Sequence, residues 1–202
     1  MVHFIRYPTF ERQTMKIQTK YPTLIAACTL LMLTACASNP AKMNVFSQTS
    51  LPDAVQVPAG HFVALETTAA GDITYECRPK KDMAGEFEWV FVGPLADMKG
   101  RNGEMLGRYY GPPATWDFKD GLKVSGAQVA VAPNGTGNIP LQLVKVNAAM
   151  GSGMAQGVSH IQRVATQGGV APAVPCNEAA KGSKQVVSYM ADYIFWKPGM
   201  AK

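Results

Sequence analysis

Glu86-Phe87-Glu88-Trp89-Val90-Phe91 decides the fold class. Phe87, Trp89 and Phe91 alternate with Glu86, Glu88 and Val90, so one face is aromatic and the other mostly charged. Period two marks a half-buried strand, whereas an amphipathic helix needs apolar residues three and four apart. The alternation is repeated upstream, where Ile73, Tyr75 and Cys77 are spaced by Thr74 and Glu76.

Working outward, further strand candidates lie between turn signals. His61 to Thr67 precedes a turn at Ala69-Ala70-Gly71-Asp72, and Gly93-Pro94 stops the aromatic strand. Met105 to Tyr110 ends at Gly111-Pro112-Pro113, and Thr115 to Phe118 leads into Lys119-Asp120-Gly121. Asp-Gly favours the positive φ angles of a hairpin turn. Leu122 to Ala132 returns, with Gly126 as a bulge candidate. Ile139 to Val146, Val158 to Thr166 and Gln185 to Trp196 complete the set, the last rich in Val, Tyr, Ile, Phe and Trp. Ala148 to Gly157 carries too many glycines for a helix and reads as a mobile loop. The expectation is an all-β, single-domain antiparallel sandwich or barrel of about eight or nine strands.

The amino-terminal segment sets the compartment. From Met15, Lys16 and Lys20 precede an apolar run from Thr23 to Ala35, too short to span a bilayer as a helix. Leu33-Thr34-Ala35-Cys36 resembles a bacterial lipobox, which implies lipidation of Cys36 and a new amino terminus there. Ile25-Ala26-Ala27-Cys28 is a rival, but it follows a much shorter apolar run. Residue 37 is Ala rather than the Asp that resembles an inner-membrane retention signal, which tilts the expectation toward the outer membrane. Residues 1–14 fit an extension from an upstream start, 15–35 a lipoprotein signal, 36–53 a polar tether, and 54–202 one β-rich domain. The expected partner is the membrane, through lipid chains on Cys36.

The formal charge of +5 is concentrated in the leader. Without Arg6, Glu11, Arg12, Lys16 and Lys20 the remainder is near about +2, and its densest basic cluster is Arg78-Pro79-Lys80-Lys81. Nucleic-acid binding is not expected. With Cys28 removed and Cys36 lipidated, Cys77 and Cys176 remain, and an exported chain is expected to join them.

The order of short motifs resembles the domain-of-unknown-function 3455 family, a group of secreted bacterial and fungal proteins. The resemblance is carried by Ile73-Thr74-Tyr75-Glu76-Cys77, Trp89-Val90-Phe91-Val92-Gly93-Pro94 and Gly111-Pro112-Pro113-Ala114-Thr115-Trp116. It continues in Ile139-Pro140-Leu141, Ile161-Gln162-Arg163-Val164, Thr166-Gln167-Gly168-Gly169-Val170-Ala171-Pro172, Cys176 and Tyr189-Met190-Ala191-Asp192-Tyr193. It spans Leu51 to Trp196, implies a secreted β-rich domain, supports the Cys77–Cys176 pair and transfers no activity. Where the family pattern has a His before Gly-Pro-Thr-Trp, this chain has Tyr109 and an inserted Pro-Ala.

No HExxH or GxSxG is present, and Gly151 to Gly157 misses the dinucleotide fingerprint by one residue. No cofactor or metal is expected. His160 with a carboxylate such as Asp192 is the catalytic candidate for a hydrolase. Arg163, in an apolar setting, calls for a carboxylate partner, Asp192 or Glu76, and is otherwise an anion-binding candidate beside the Gly151–Gly157 loop. Tyr109, Tyr110 and Trp116 are candidates for a ligand cleft, Trp116 being the better surface aromatic. The leading expectation is a non-enzymatic envelope lipoprotein that binds a small molecule, glycan or envelope protein. Its site is expected where Tyr109 to Trp116 meets Gly151 to Gly157. A hydrolase and a purely structural surface protein are the alternatives.

Overall fold

The structure is a computed structural model that describes residues 45–199. Eight strands follow one another: β1 (His61–Pro79), β2 (Phe87–Gly100), β3 (Met105–Tyr110), β4 (Ala114–Phe118), β5 (Lys123–Ala132), β6 (Leu141–Met150), β7 (His160–Gly168) and β8 (Lys184–Pro198). Each pairs antiparallel with the next, and β8 pairs with β1, so the sheet closes into an up-and-down barrel. Closure removes both free edges, which a sandwich would have left.

Three expected boundaries fail, two because cross-strand bonding outweighs a local turn signal and one because apolar side chains of the expected tether pack onto the sheet. Ala69-Ala70-Gly71-Asp72 is not a turn: β1 runs through it, paired to β2 on one side and β8 on the other. The small residues serve close approach instead. A Cβ on Gly71 would lie 2.2 Å from the Leu95 carbonyl oxygen and 2.4 Å from Ala96 Cα. Gly93-Pro94 does not stop β2, because Pro94 sits opposite Ile73 beside a register shift at Thr74/Tyr75, where a missing N–H is tolerated. The tether ends earlier than Asp53. Phe46 packs edge-on against Trp196, with ring centroids 6.4 Å apart, and Val55 in a short 3-10 helix (Asp53–Val55) is fully buried.

The barrel therefore has two cores. Its interior holds Trp116, Tyr193, Phe195, Met98, Leu122 and Ile161, all essentially without solvent exposure. Each such side chain contributes about 1.5–3 kcal/mol on burial. The second core lies outside the sheet, where residues 45–57 strap Val55 and Val57 over Leu141, Leu143, Val164, Ile194 and Trp196. Gln162 secures this layer: its amide donates to the Val55 carbonyl at 2.6 Å and its oxygen accepts from Trp196 Nε1 at 2.8 Å.

Other outward positions mix charge with exposed apolar residues such as Leu95, Val186 and Met190. Glu66, Asp97 and Arg108 alternate with the inward Thr67, Ala96 and Tyr109. Apolar-in and charged-out is the reverse of the pattern of a lipid-embedded barrel. Cys77 and Cys176 form a disulfide with Cα atoms 5.5 Å apart, which ties β1 to the β7–β8 connection.

Candidate functional site

Strand length positions the site. β1 and β8, of 19 and 15 residues, rise on one side of the barrel, while β3 and β4 have only 6 and 5. The β3–β4 turn is thus a low lip at the end where β5–β6 and β7–β8 also connect. A cavity of about 360 Å³ opens there. Ile73, Phe91, Ile139 and the ring of Tyr75 supply apolar wall, and Gly111, Pro112 and Ala114 form the lip. Tyr109, Gln128, Gln142 and Arg163 bring polar atoms to it.

No carboxylate lines this cavity. Arg163 projects inward on β7, because its neighbours Gln162 and Val164 face the outer strap. Its Nε and Nη2 both donate to the Pro140 carbonyl, at 3.3 and 2.9 Å. Gln142 Nε2 donates to Gln128 Oε1 at 2.7 Å, so the two amides form one neutral wall. Tyr75 donates its hydroxyl to the Gly169 carbonyl at 2.8 Å, which holds the β7–β8 connection against the wall.

Tyr109 connects the cavity to the barrel interior. Its ring centroid lies 4.8 Å from Tyr193 and 5.0 Å from Trp116. Behind it, the hydroxyls of Tyr189 and Tyr193 and the indole N–H of Trp116 are buried and reach no hydrogen-bond geometry, although the phenols are close enough to influence one another. Burial raises the pKa of Tyr75, Tyr109, Tyr189 and Tyr193, that of Tyr189 to about 12, and the positive charge of Arg163 pulls each of them back. At neutral pH all four phenols are protonated donors, and all sit in the field of Arg163.

The structure redistributes the expected site residues. Trp116 is not a surface aromatic: alternation on β4 turns it inward, where it is fully buried. Tyr110 faces outward, its hydroxyl donating to Asp117 at 3.4 Å. The Gly151–Gly157 loop lies at the opposite end of the barrel from the β3–β4 turn, where Met154 N–H donates to Asp120 at 2.7 Å. The expected site joining the two loops does not form. Arg163 has no ion pair with Asp192 or Glu76, which pair with Arg101 and Arg78 at 2.8 and 3.1 Å. Nor does it lie beside the Gly151–Gly157 loop; it joins Tyr109 and the β3–β4 lip.

His160 and Asp192 do not meet. His160 is opposite Trp196 and Asp192 opposite Val164, a separation of four positions, or roughly 13 Å at about 3.3 Å per residue. His160 packs edge-on against His61, with centroids 4.9 Å apart, and its Nδ1 lies 3.0 Å from Ser159 Oγ. Desolvation first, then His61 and Lys145, lower its pKa. No carboxylate is among these influences, so the constellation lacks a hydrolase's orienting acid. Cys36 lies outside the described residues.

Sequence reasoning missed Gln128 and Gln142, which lie opposite Val144 and Val131 and meet diagonally beside the β5–β6 register shift at Gln128/Ala130, and treated Tyr75 solely as a strand residue. The inward parity of β1 was the available signal for Tyr75.

Comparison with known proteins places these residues in one setting. The family model described as "Protein of unknown function (DUF3455)" matches residues 58–197, from just before β1 to the end of β8. No curated protein and no solved structure matches the chain.

Proposed function

This chain belongs to the DUF3455 family of proteins of unknown function, and from that premise we propose that it is an exported, lipid-anchored binding module that takes a small molecule at the β3–β4 mouth of its barrel. The observation that carries the reading is the cavity itself. Its walls are apolar and aromatic, and a few polar groups converge on it, which is the usual make-up of a small-molecule site. Eight-stranded barrels are of a size that admits one small ligand.

The reading of an exported, anchored protein draws support from the lipobox at Leu33-Thr34-Ala35-Cys36 and the disulfide. The described chain enters at Val45, which borders a groove with Glu66, Arg101 and Met154 at the end opposite the cavity.

Two measurements test this. In NMR titrations with a panel of small aromatic and aliphatic acids, amides and sugars, bound compounds should shift the Ile73 and Ile139 methyls and the Tyr109 ring. Shifts confined to other surfaces, or none at all, would count against the cavity. For the anchor, intact-mass analysis of membrane-extracted protein should find acyl chains on an amino-terminal Cys36, removed by Cys36→Ala. An unacylated chain beginning elsewhere would defeat that part.

A further inference from the structure

The cations of this protein are treated unequally. Of the arginines in the described residues, Arg78, Arg101 and Arg108 each meet a carboxylate, whereas Arg163 forms no ion pair there. Arg101 meets two, Glu66 and Asp192. The hollows beside Arg78, Arg101 and Arg108 each include acidic side chains, whereas the cavity that Arg163 lines has none. A half-buried guanidinium among aromatic rings is costly without a counter-charge. The arrangement is that of a receptor with its charge held ready.

The geometry of the guanidinium narrows the ligand. Its Nε–Nη2 edge is used on the Pro140 carbonyl, which fixes the plane of the group. The end-on edge remains, with one N–H from each terminal nitrogen, and that fork matches the two oxygens of a carboxylate. The adjacent wall is neutral, made by the locked Gln142–Gln128 amide pair. One cation and one amide wall balance a single negative charge; a phosphate dianion would be left half compensated. At the same mouth Phe91, half exposed and edge-on to Tyr75 at 6.0 Å, offers ring surface that accepts a flat apolar body, whereas Tyr75 and Tyr109 are buried and expose little of their rings.

From this, and resting on the cavity reading above, we propose that the barrel mouth selects small monocarboxylates with a flat apolar body, the carboxylate on the end-on edge of Arg163 and the body against Phe91.

The experiment compares benzoate, its neutral isostere benzamide, phenyl phosphate and acetate, read by NMR shifts at Ile73, Ile139 and Tyr109 in the folded domain. Benzoate should bind at least about tenfold more tightly than benzamide, the range a charge-assisted bidentate contact provides. It should also exceed phenyl phosphate, for want of a second cation, and acetate, for want of a ring. Arg163→Gln should abolish the preference for benzoate while benzamide binding persists. Arg163→Lys, which keeps charge but loses the fork, should restore it only in part. The retained benzamide signal, with an unchanged spectrum elsewhere, shows that Arg163→Gln is folded. Benzoate and benzamide binding equally at these residues, or a benzoate preference that survives Arg163→Gln, overturns the carboxylate assignment and leaves the cavity reading standing. Tighter phenyl phosphate binding overturns it likewise. If no compound moves these resonances, the cavity reading itself falls, and this inference with it.

Discussion

At the scale of single residues, orientation separates Arg163 from Trp116 and His160. All three looked like site residues because each carries chemistry rare in a β domain. Parity on the strand then sent Trp116 into the sealed core, Arg163 to the mouth and His160 to the outer face. His160 has a consequence that can be measured. Its folded pKa lies below the ordinary value, chiefly through desolvation and then through His61 and Lys145. The fold therefore prefers the neutral ring, and the stabilisation is complete above the unfolded pKa of about 6.5. As pH falls below that value the unfolded chain takes up the proton first, and stability is lost until the folded pKa is passed. Urea midpoints should fall between about pH 7.5 and about pH 5, a window that brackets an ordinary histidine. His160→Asn should flatten that slope; an unchanged slope would assign the dependence to other groups.

At the scale of elements, the segment 45–57 is the unexpected one. Its Ser, Gln and Thr residues read as part of a tether, yet it covers the outer face of β6, β7 and β8. Its grip comes from a few well-spaced groups. Phe46, Leu51, Val55 and Val57 provide the apolar points, and Gln48 clasps Val57 through two bonds of 2.7 and 2.9 Å. Val55 is the centre, buried and bonded through its carbonyl to Gln162. Val55→Asp should lower stability by about 2–4 kcal/mol by placing a carboxylate in that layer. The indole N–H of Trp196 should then exchange with solvent faster, while that of Trp116 stays protected. Equal protection of both in the variant would mean the strap does not close this core.

At the scale of the whole molecule, closure of the sheet decides where function can sit. A sandwich would have offered an open face, but a closed barrel offers two ends and a covered flank. The long β1, β2 and β8 build one side of the cavity end, and the disulfide ties the β7–β8 connection to it. The short β3 and β4 leave the other side low. The sequence alone determined the strand class, the turn at Asp120-Gly121, the bulge at Gly126 and the pairing of Cys77 with Cys176. These are local or forced: period-two alternation, an Asp-Gly turn, and two cysteines left to each other in the predicted mature chain. It also picked out Tyr109 and Arg163 as unusual. Which partners they meet was settled only in three dimensions. The β5–β6 register shift lets Gln142 of β6 reach diagonally to Gln128 of β5, and parity turns Arg163 of β7 toward the β3–β4 lip, while Asp192 is claimed by Arg101. Ala69-Ala70-Gly71-Asp72 and Gly93-Pro94 carry turn signals that are genuine as local preferences. They were overruled because ladder pairing, with β2 and β8 for the first stretch and with β1 for the second, outweighs the propensity of a few residues.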